Sequence, residues 1–203
     1  MAKKVLRILF PMCLATLAII GIFFKTPLIN HTFNRGYYGI LMNKAAEDFP
    51  VYNTKGKHSL LSQLETPTYL YFGYTTCKTI CPSSMGMMYR LAKKLGNKAS
   101  FVFVSLDWQR DSFAKVQNYT QAFGRGFYFY QPEKQELFSL ARSYGISYQT
   151  VGEEDNDFEI NHTNYLFLVD KRNRVKVLYM ARHNKISRML DDFYHSFPEV
   201  NPI

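Results

Sequence analysis

"YFGYTTCKTICPSSM", residues 71–85, decides how this chain is read. An aromatic run ends at glycine, Cys77 and Cys81 follow with Lys78, Thr79 and Ile80 between them, and a proline and two serines come next. Aromatic residues favour a strand, and Pro82 suits the first position of a helix. The stretch therefore predicts strand, short loop and helix, with Cys81 at the helix start. A helix N-terminus offers partial positive charge and unpaired N–H groups, which lower a thiol's pKa, and Lys78 pushes the same way. Two exposed, thiolate-biased sulfurs leave disulfide exchange and metal binding open. A structural staple is the poorest use, because so short a loop constrains the unfolded chain weakly.

Outward from this stretch, strands and helices alternate. "PTYLYFGY" (67–74) and "SFVFVSLD" (100–107) read as buried strands, with the helix "SSMGMMYRLAKKLG" (83–96) between them, stopping at Gly96. Helices follow at 111–124 and 133–145, each ended by glycine, then strands at 164–170 and 175–181 and a closing helix at 184–197. "FPVYNTKGKHSL" (49–60) predicts a hairpin around a Lys-Gly turn, and 37–49 a short helix in a connector. Such an order favours a mixed α/β sheet covered on both faces. A cysteine motif between the first core strand and first helix, with a closing β-β-α unit, is the layout of a thioredoxin-like fold carrying an N-terminal hairpin extension. Fold alone does not assign chemistry.

Residues 8–24 are uncharged, and Lys3, Lys4 and Arg7 precede them. No small-residue cleavage site follows, and "LFPM" before Cys13 is no lipidation signal. The expectation is one uncleaved transmembrane helix within 1–24, a connector over 25–48 and a folded domain over 49–197. Positive charge stays in the cytoplasm, so the domain is expected in the periplasm, single-pass on the inner membrane. The net charge of +9 is scattered and builds no groove-like run, so nucleic acid is not an expected partner. A basic surface of this kind suits anionic lipid, an acidic partner or simple solvation.

Two thiolates need a further ligand to hold a metal, and "EINHTNYLFLVD" offers His162 directly before a core strand. In the thioredoxin-like layout the turn before that strand faces the cysteine loop. Two soft thiolates and one imidazole suit copper, whereas structural zinc takes four protein ligands and no fourth is well placed. Met85, Met87 and Met88 follow Cys81; thioethers bind cuprous ion, but the helical spacing makes Met85 and Met88 core residues. Asp107, Arg110 and Asp111 in "SLDWQRDS" follow a strand's C-terminal end, where sites in open sheets lie. Asp111 reads as a helix N-cap, Trp108 as a shield or docking residue, and His183 and His195 as surface residues.

At these residues the chain resembles the Sco/SenC family of copper chaperones. "YFGYTTCKTICPSSM" is similar to that family's "FGYTHCPDVCPTTL"-like signature. "DFPVYNTKGKHSLLSQL", "FVFVSLDWQRDS" and "FEINHTNYLFLVDKRNR" resemble its opening hairpin, its strand-and-turn segment and its histidine segment. The resemblance covers about residues 48–195. It implies a thioredoxin-like fold, a membrane anchor, and one Cu(I) or Cu(II) ion on Cys77, Cys81 and His162. It further implies a metallochaperone and not an enzyme. Its partner would be the copper-binding subunit of cytochrome c oxidase or another copper protein, served by copper delivery or by reduction of target cysteines.

The departures all point one way. Lys78 and Thr79 stand where the family has proline and an acid, making the loop more positive. Thr76 replaces a histidine, and Asn161 an acid beside the metal histidine, so a negative neighbour of the ligand is lost. These changes disfavour a cation and favour free thiolate. They keep open a thiol-disulfide oxidoreductase that uses Cys77 and Cys81 as a redox pair without metal, and a copper or redox sensor with no oxidase client.

Overall fold

The computed structural model describes residues 36–152, 158–180 and 183–200. The strands are β1 (Ile40–Ala45), β2 (Pro50–Asn53), β3 (His58–Leu60), β4 (Thr68–Gly73), β5 (Ser100–Ser105), β6 (Phe127–Tyr130), β7 (Tyr148–Gly152), β8 (Phe158–His162), β9 (Tyr165–Val169) and β10 (Arg174–Met180). The α-helices are α1 (Ile80–Leu95), α2 (Phe113–Gln121), α3 (Lys134–Tyr144) and α4 (Ile186–Ser196). Eight strands form one sheet in the order β1-β10-β9-β4-β5-β6-β2-β3, and β7 and β8 pair by themselves.

Every residue of β4 and β5 is buried, which requires cover on both faces. The two strands run parallel, Thr68 opposite Ser100 through Gly73 opposite Ser105, so both chain directions end at one edge. One face carries Leu70, Phe72, Val102 and Val104 in a core with Leu137, Leu140 and Tyr144 of α3. The alternate residues serve the other face: Tyr69 stacks on Phe193 of α4, and Phe103 meets Tyr119 of α2. Antiparallel β9 and β10 close the side of β4, giving the expected thioredoxin-like arrangement.

The hairpin expected at 49–60 is β2–β3, with Gly56 at φ 78° in its turn. It joins the sheet through β6, pairing Tyr52 with Phe129. The sequence reading assigns no strand to 127–130, because "FYFY" is too short to show a period between two helices.

The short helix expected at 37–49 is instead strand β1, paired with β10. Tertiary contacts override the local pattern there. A Cβ on Gly39 would lie 2.3 Å from Val177 Cγ1, so glycine lets the backbone close on β10. Buried Asp192 of α4 then accepts the N–H groups of Tyr38 at 2.7 Å and Gly39 at 2.9 Å. No helix among the described residues is long and apolar enough to cross a membrane, and the expected anchor at 1–24 lies outside them.

Candidate metal centre

The centre lies where β4 and β5 end. The Leu106 N–H donates to Gly73 O at 2.7 Å, holding the two strand ends together. The chain then turns through Tyr74–Thr79, with the Cys77 N–H bonded to Tyr74 O at 3.3 Å. Asp111 pins this loop. It is 1% exposed and accepts from Thr75 N at 2.9 Å, Thr75 Oγ1 at 2.5 Å and Ser105 Oγ at 2.7 Å, with Lys115 Nζ at 3.2 Å. The N-cap expected of Asp111 is supplied by the next residue, since Ser112 Oγ accepts from Lys115 N. An aspartate before a helix gives the same local signal in either role; only the position of Thr75 separates them.

Helix α1 begins at Ile80, so Cys81 lies inside its first turn and Pro82 two places further in than expected. Thr79, the N-cap residue, makes no side-chain cap bond. The sulfur of Cys77 fills that role, accepting the Cys81 N–H at 3.5 Å, with Thr79 Oγ1 at 3.8 Å. Burial pushes the Cys77 thiol up, but these bonds from Cys81 and Thr79 outweigh it and leave the thiol below its ordinary range.

Cys81 behaves in the opposite way. It is 0% exposed, and burial pushes its thiol up to about 12. Cys77 is also buried, and neither sulfur is in a disulfide. The expectation of two exposed, thiolate-biased cysteines is therefore corrected: the helix start serves Cys77, and desolvation defeats it at Cys81. Gly73 makes room for this burial, since a Cβ there would stand 3.0 Å from Cys81 Sγ and 2.8 Å from the Tyr71 ring.

His162 arrives from the end of β8, not from a simple turn, and sits opposite Tyr148 in the hairpin register. Its Nε2 lies 3.6 Å from Cys81 Sγ, and its Nδ1 lies 3.1 Å from Thr163 O. A carbonyl only accepts, so Nδ1 carries the proton and Nε2 turns its lone pair toward the sulfur. Burial lowers the imidazole pKa. Cys81 and His162 thus form a neutral thiol–imidazole pair.

Polar tethers place this hairpin. Arg110 donates Nε to buried Asp107 at 2.5 Å and Nη1 to Phe158 O at 2.6 Å, while its guanidinium lies 3.6 Å from the Phe158 ring centroid. Tyr74, at the head of the cysteine loop, donates its hydroxyl to Glu159 and accepts the Ile160 N–H at 3.3 Å. Thr163 and Ser147 exchange bonds across the hairpin mouth at 2.9 and 2.7 Å. The roles of Tyr74 and Glu159 were not read from sequence; a tyrosine after a strand and a glutamate in an acidic stretch carry no signal for each other.

The structure thus brings Cys81 to His162 and hangs Cys77 on the Cys81 amide. Among the described residues no three His, Cys, Asp or Glu side chains are drawn together as a ready ion cage. Asp107 and Asp111 are occupied by Arg110 and by Thr75, Ser105 and Lys115. What remains is a soft set of two sulfurs and one imidazole whose Nε2 lone pair faces the Cys81 sulfur, which fits copper. Met85, Met87 and Met88 are buried, as the core reading of Met85 and Met88 requires. Trp108 is partly exposed, with Lys134 Nζ 5.3 Å from the ring centroid. His195 is exposed, but His183 is buried, accepting the Met180 N–H at 2.9 Å, and is not the surface residue expected.

Fold and centre define a thioredoxin-like domain with a Cys-x-x-x-Cys pair at its first helix and a histidine from a facing hairpin. The chain belongs to the SCO1/SenC family, whose model matches residues 40–195. It is 29% identical over 121 residues to the mitochondrial SCO1 homolog 1 of Arabidopsis thaliana, covering 58% of this chain and 36% of that one. The chain thus spans about a third of that curated relative's length. Copper-bound ScoI of Arabidopsis thaliana superposes with a TM-score of 0.66 at 25% identity, covering 76% of this chain and 99% of that one. BsSco superposes with a TM-score of 0.60 at 22% identity, covering 77% and 94%. That protein is described as having a disulfide switch and as a member of the Sco family of cytochrome c oxidase assembly proteins.

Proposed function

We propose that this protein carries copper for the assembly of a copper site, with cytochrome c oxidase as the client. Cys77, Cys81 and His162 are its ligands for one ion. The observation that carries this reading is the 3.6 Å approach of His162 Nε2 to Cys81 Sγ on a ring whose other nitrogen is already bonded. Copper is the cargo, and the chain's own groups prepare for it. Cys77 supplies a sulfur close to thiolate, Cys81 gives up a proton, and His162 presents a fixed lone pair. The domain is held at the periplasmic face of the inner membrane by an anchor within residues 1–24, on the support of the uncharged run 8–24 behind Lys3, Lys4 and Arg7.

The full-length chain, purified in detergent under reducing conditions, should contain one copper per chain. Cys77→Ser or Cys81→Ser should abolish uptake, and His162→Ala should weaken it. Full retention of copper by Cys77→Ser overturns the assignment. A C-terminal reporter active only in the cytoplasm would reverse the membrane orientation.

The opposed pKa directions of the two cysteines favour a second reading, reduction of client disulfides. The Cys77 thiolate attacks one client sulfur, breaking the client S–S bond and releasing one client thiolate. Cys81 passes its proton to His162 and attacks the Cys77 sulfur, which releases the second client thiolate. The Cys77–Cys81 disulfide remains, and two electrons have moved to the client. His162→Ala removes both a copper ligand and the proton acceptor of Cys81 while keeping both thiols, so rescue separates the readings in cells. Loss of oxidase assembly that added copper restores favours delivery; loss that only an added thiol reductant restores favours reduction.

A further inference from the structure

Tyr71 stands on β4 two residues before Gly73, and its side chain is completely buried. Its hydroxyl has no hydrogen-bond partner among the described residues. A buried hydroxyl left unpaired is costly, and such groups gather at working sites. The neighbourhood of Tyr71 shows what it waits for. Its ring edge and Cys81 Sγ crowd the same point beside Gly73, at 2.8 and 3.0 Å from where a Cβ would sit. The His162 ring lies edge-on at 6.3 Å between centroids, so Tyr71 backs the sulfur–imidazole contact from inside the core. Ser84, the other polar group nearby, spends its proton on Asn164 Oδ1 at 2.9 Å and is a neutral acceptor. A phenol keeps its proton near neutral pH, so it remains a donor.

We propose that Tyr71 is a positioning residue of the metal centre, whose hydroxyl donates to the Cys81 sulfur once that sulfur is a copper ligand. In the empty protein the Cys81 thiol faces His162 and is only a weak acceptor for that hydroxyl. A metal-bound sulfur carries negative charge and is the strongest acceptor within its reach. Such a bond withdraws electron density from sulfur and tunes the ion, as hydrogen bonds around metal-bound thiolates do. The inference rests on the copper reading above.

Tyr71→Phe tests it with little risk to the fold, since only the hydroxyl is removed. The full-length chain is compared with wild type in detergent, empty and loaded with copper alone. In the empty state the variant should be as stable as wild type or more so, because an unpaired buried group has gone. In the loaded state the sulfur-to-Cu(II) charge-transfer band should move to lower energy, and Cu(I) affinity by chelator competition should fall about ten-fold. A wild-type band that does not shift in Tyr71→Phe, with equal affinity, overturns the inference and leaves the copper reading standing. A lower Tm in the empty variant also overturns it, because the hydroxyl would then have a structural partner. A wild-type chain with no thiolate–copper band overturns the copper reading itself, and this inference with it.

Discussion

Cys77 and Cys81 flank the start of a helix fed by β4, all six of whose residues are buried, whereas His162 ends a two-stranded hairpin whose β7 strand is exposed over most of its length. On the cysteine side, position is a consequence of packing: Cys81 is fully buried, and with Tyr71 and Phe103 it fills the space beside Gly73. On the histidine side, position depends on a few polar tethers, chiefly Arg110 and Tyr74. Half the centre therefore inherits the stability of the core, and half can loosen while the core stays folded. On the proposed function, a carrier that must both hold and release an ion gains from one fixed and one adjustable side.

The largest effect should come from cutting the main tether. Arg110→Ala leaves Asp107 buried at 1% exposure with its partner gone, and should cost about 3 kcal/mol. Hydrogen exchange should rise most at amides of β7 and β8, and copper affinity should fall toward that of His162→Ala. Equal acceleration in β4 would erase the distinction between the two halves. Gly73→Ala attacks the other half. Its new methyl group would meet Tyr71, Cys81 and Phe103 between 2.8 and 3.2 Å, at a cost of about 1–3 kcal/mol. Here the loss should be global, visible in the urea midpoint and in β4 and β5 exchange alike. An effect confined to the hairpin would contradict the packing account.

Acidity sharpens the contrast further. Because burial pushes the Cys81 thiol up to about 12, copper uptake anywhere in the neutral range should displace its proton. Affinity should therefore rise about ten-fold per pH unit for that proton alone, and more below the pKa of Cys77. His162, with its pKa lowered by burial, should add competition only on the acid side. Chelator competition from about pH 6 to 9 measures the slope. A flat profile would show that Cys81 is not a thiolate ligand.

The same division explains what could be read from sequence. β4, α1 and β5 announce themselves through unbroken apolar runs and a glycine stop, and the cysteines come with them. The proposed ligand set of Cys77, Cys81 and His162 likewise rests on donor chemistry and order along the chain. The hairpin that carries His162 did not, because "YQTVG" has no buried face and owes its order to Arg110 and Tyr74, distant in sequence. Strand β1 was hidden similarly, since its state depends on Asp192 far along the chain. The exposure and acidity of the cysteines were misread for a different reason. A helix start is a local signal, but depth of burial is set by what packs above it.

The smallest effect concerns the loop between the cysteines. Lys78 is exposed, and its charge should favour thiolate at Cys77 while opposing a copper ion. At about 5 Å and an effective dielectric of 20 the attraction is roughly 3 kcal/mol before screening. Solvent at this open loop should leave about 1 kcal/mol, or several-fold in affinity. Thr79 adds a second contribution, since its hydroxyl lies 3.8 Å from Cys77 Sγ and helps hold that thiol's pKa down. Aspartate there would remove that hydroxyl and add a negative charge. As the N-cap residue it would also compete with the Cys77 sulfur for helix N–H groups. The double variant Lys78→Pro, Thr79→Asp should bind copper several-fold more tightly than wild type. It should also have a higher Cys77 pKa and react more slowly with a small disulfide near neutral pH. Chelator competition reads the affinity, and alkylation rate against pH reads the Cys77 pKa. If affinity is level or lower while the Cys77 pKa falls, charge in this loop does not govern the balance between metal and free thiolate. Capping by the Cys77 sulfur would then be the dominant control.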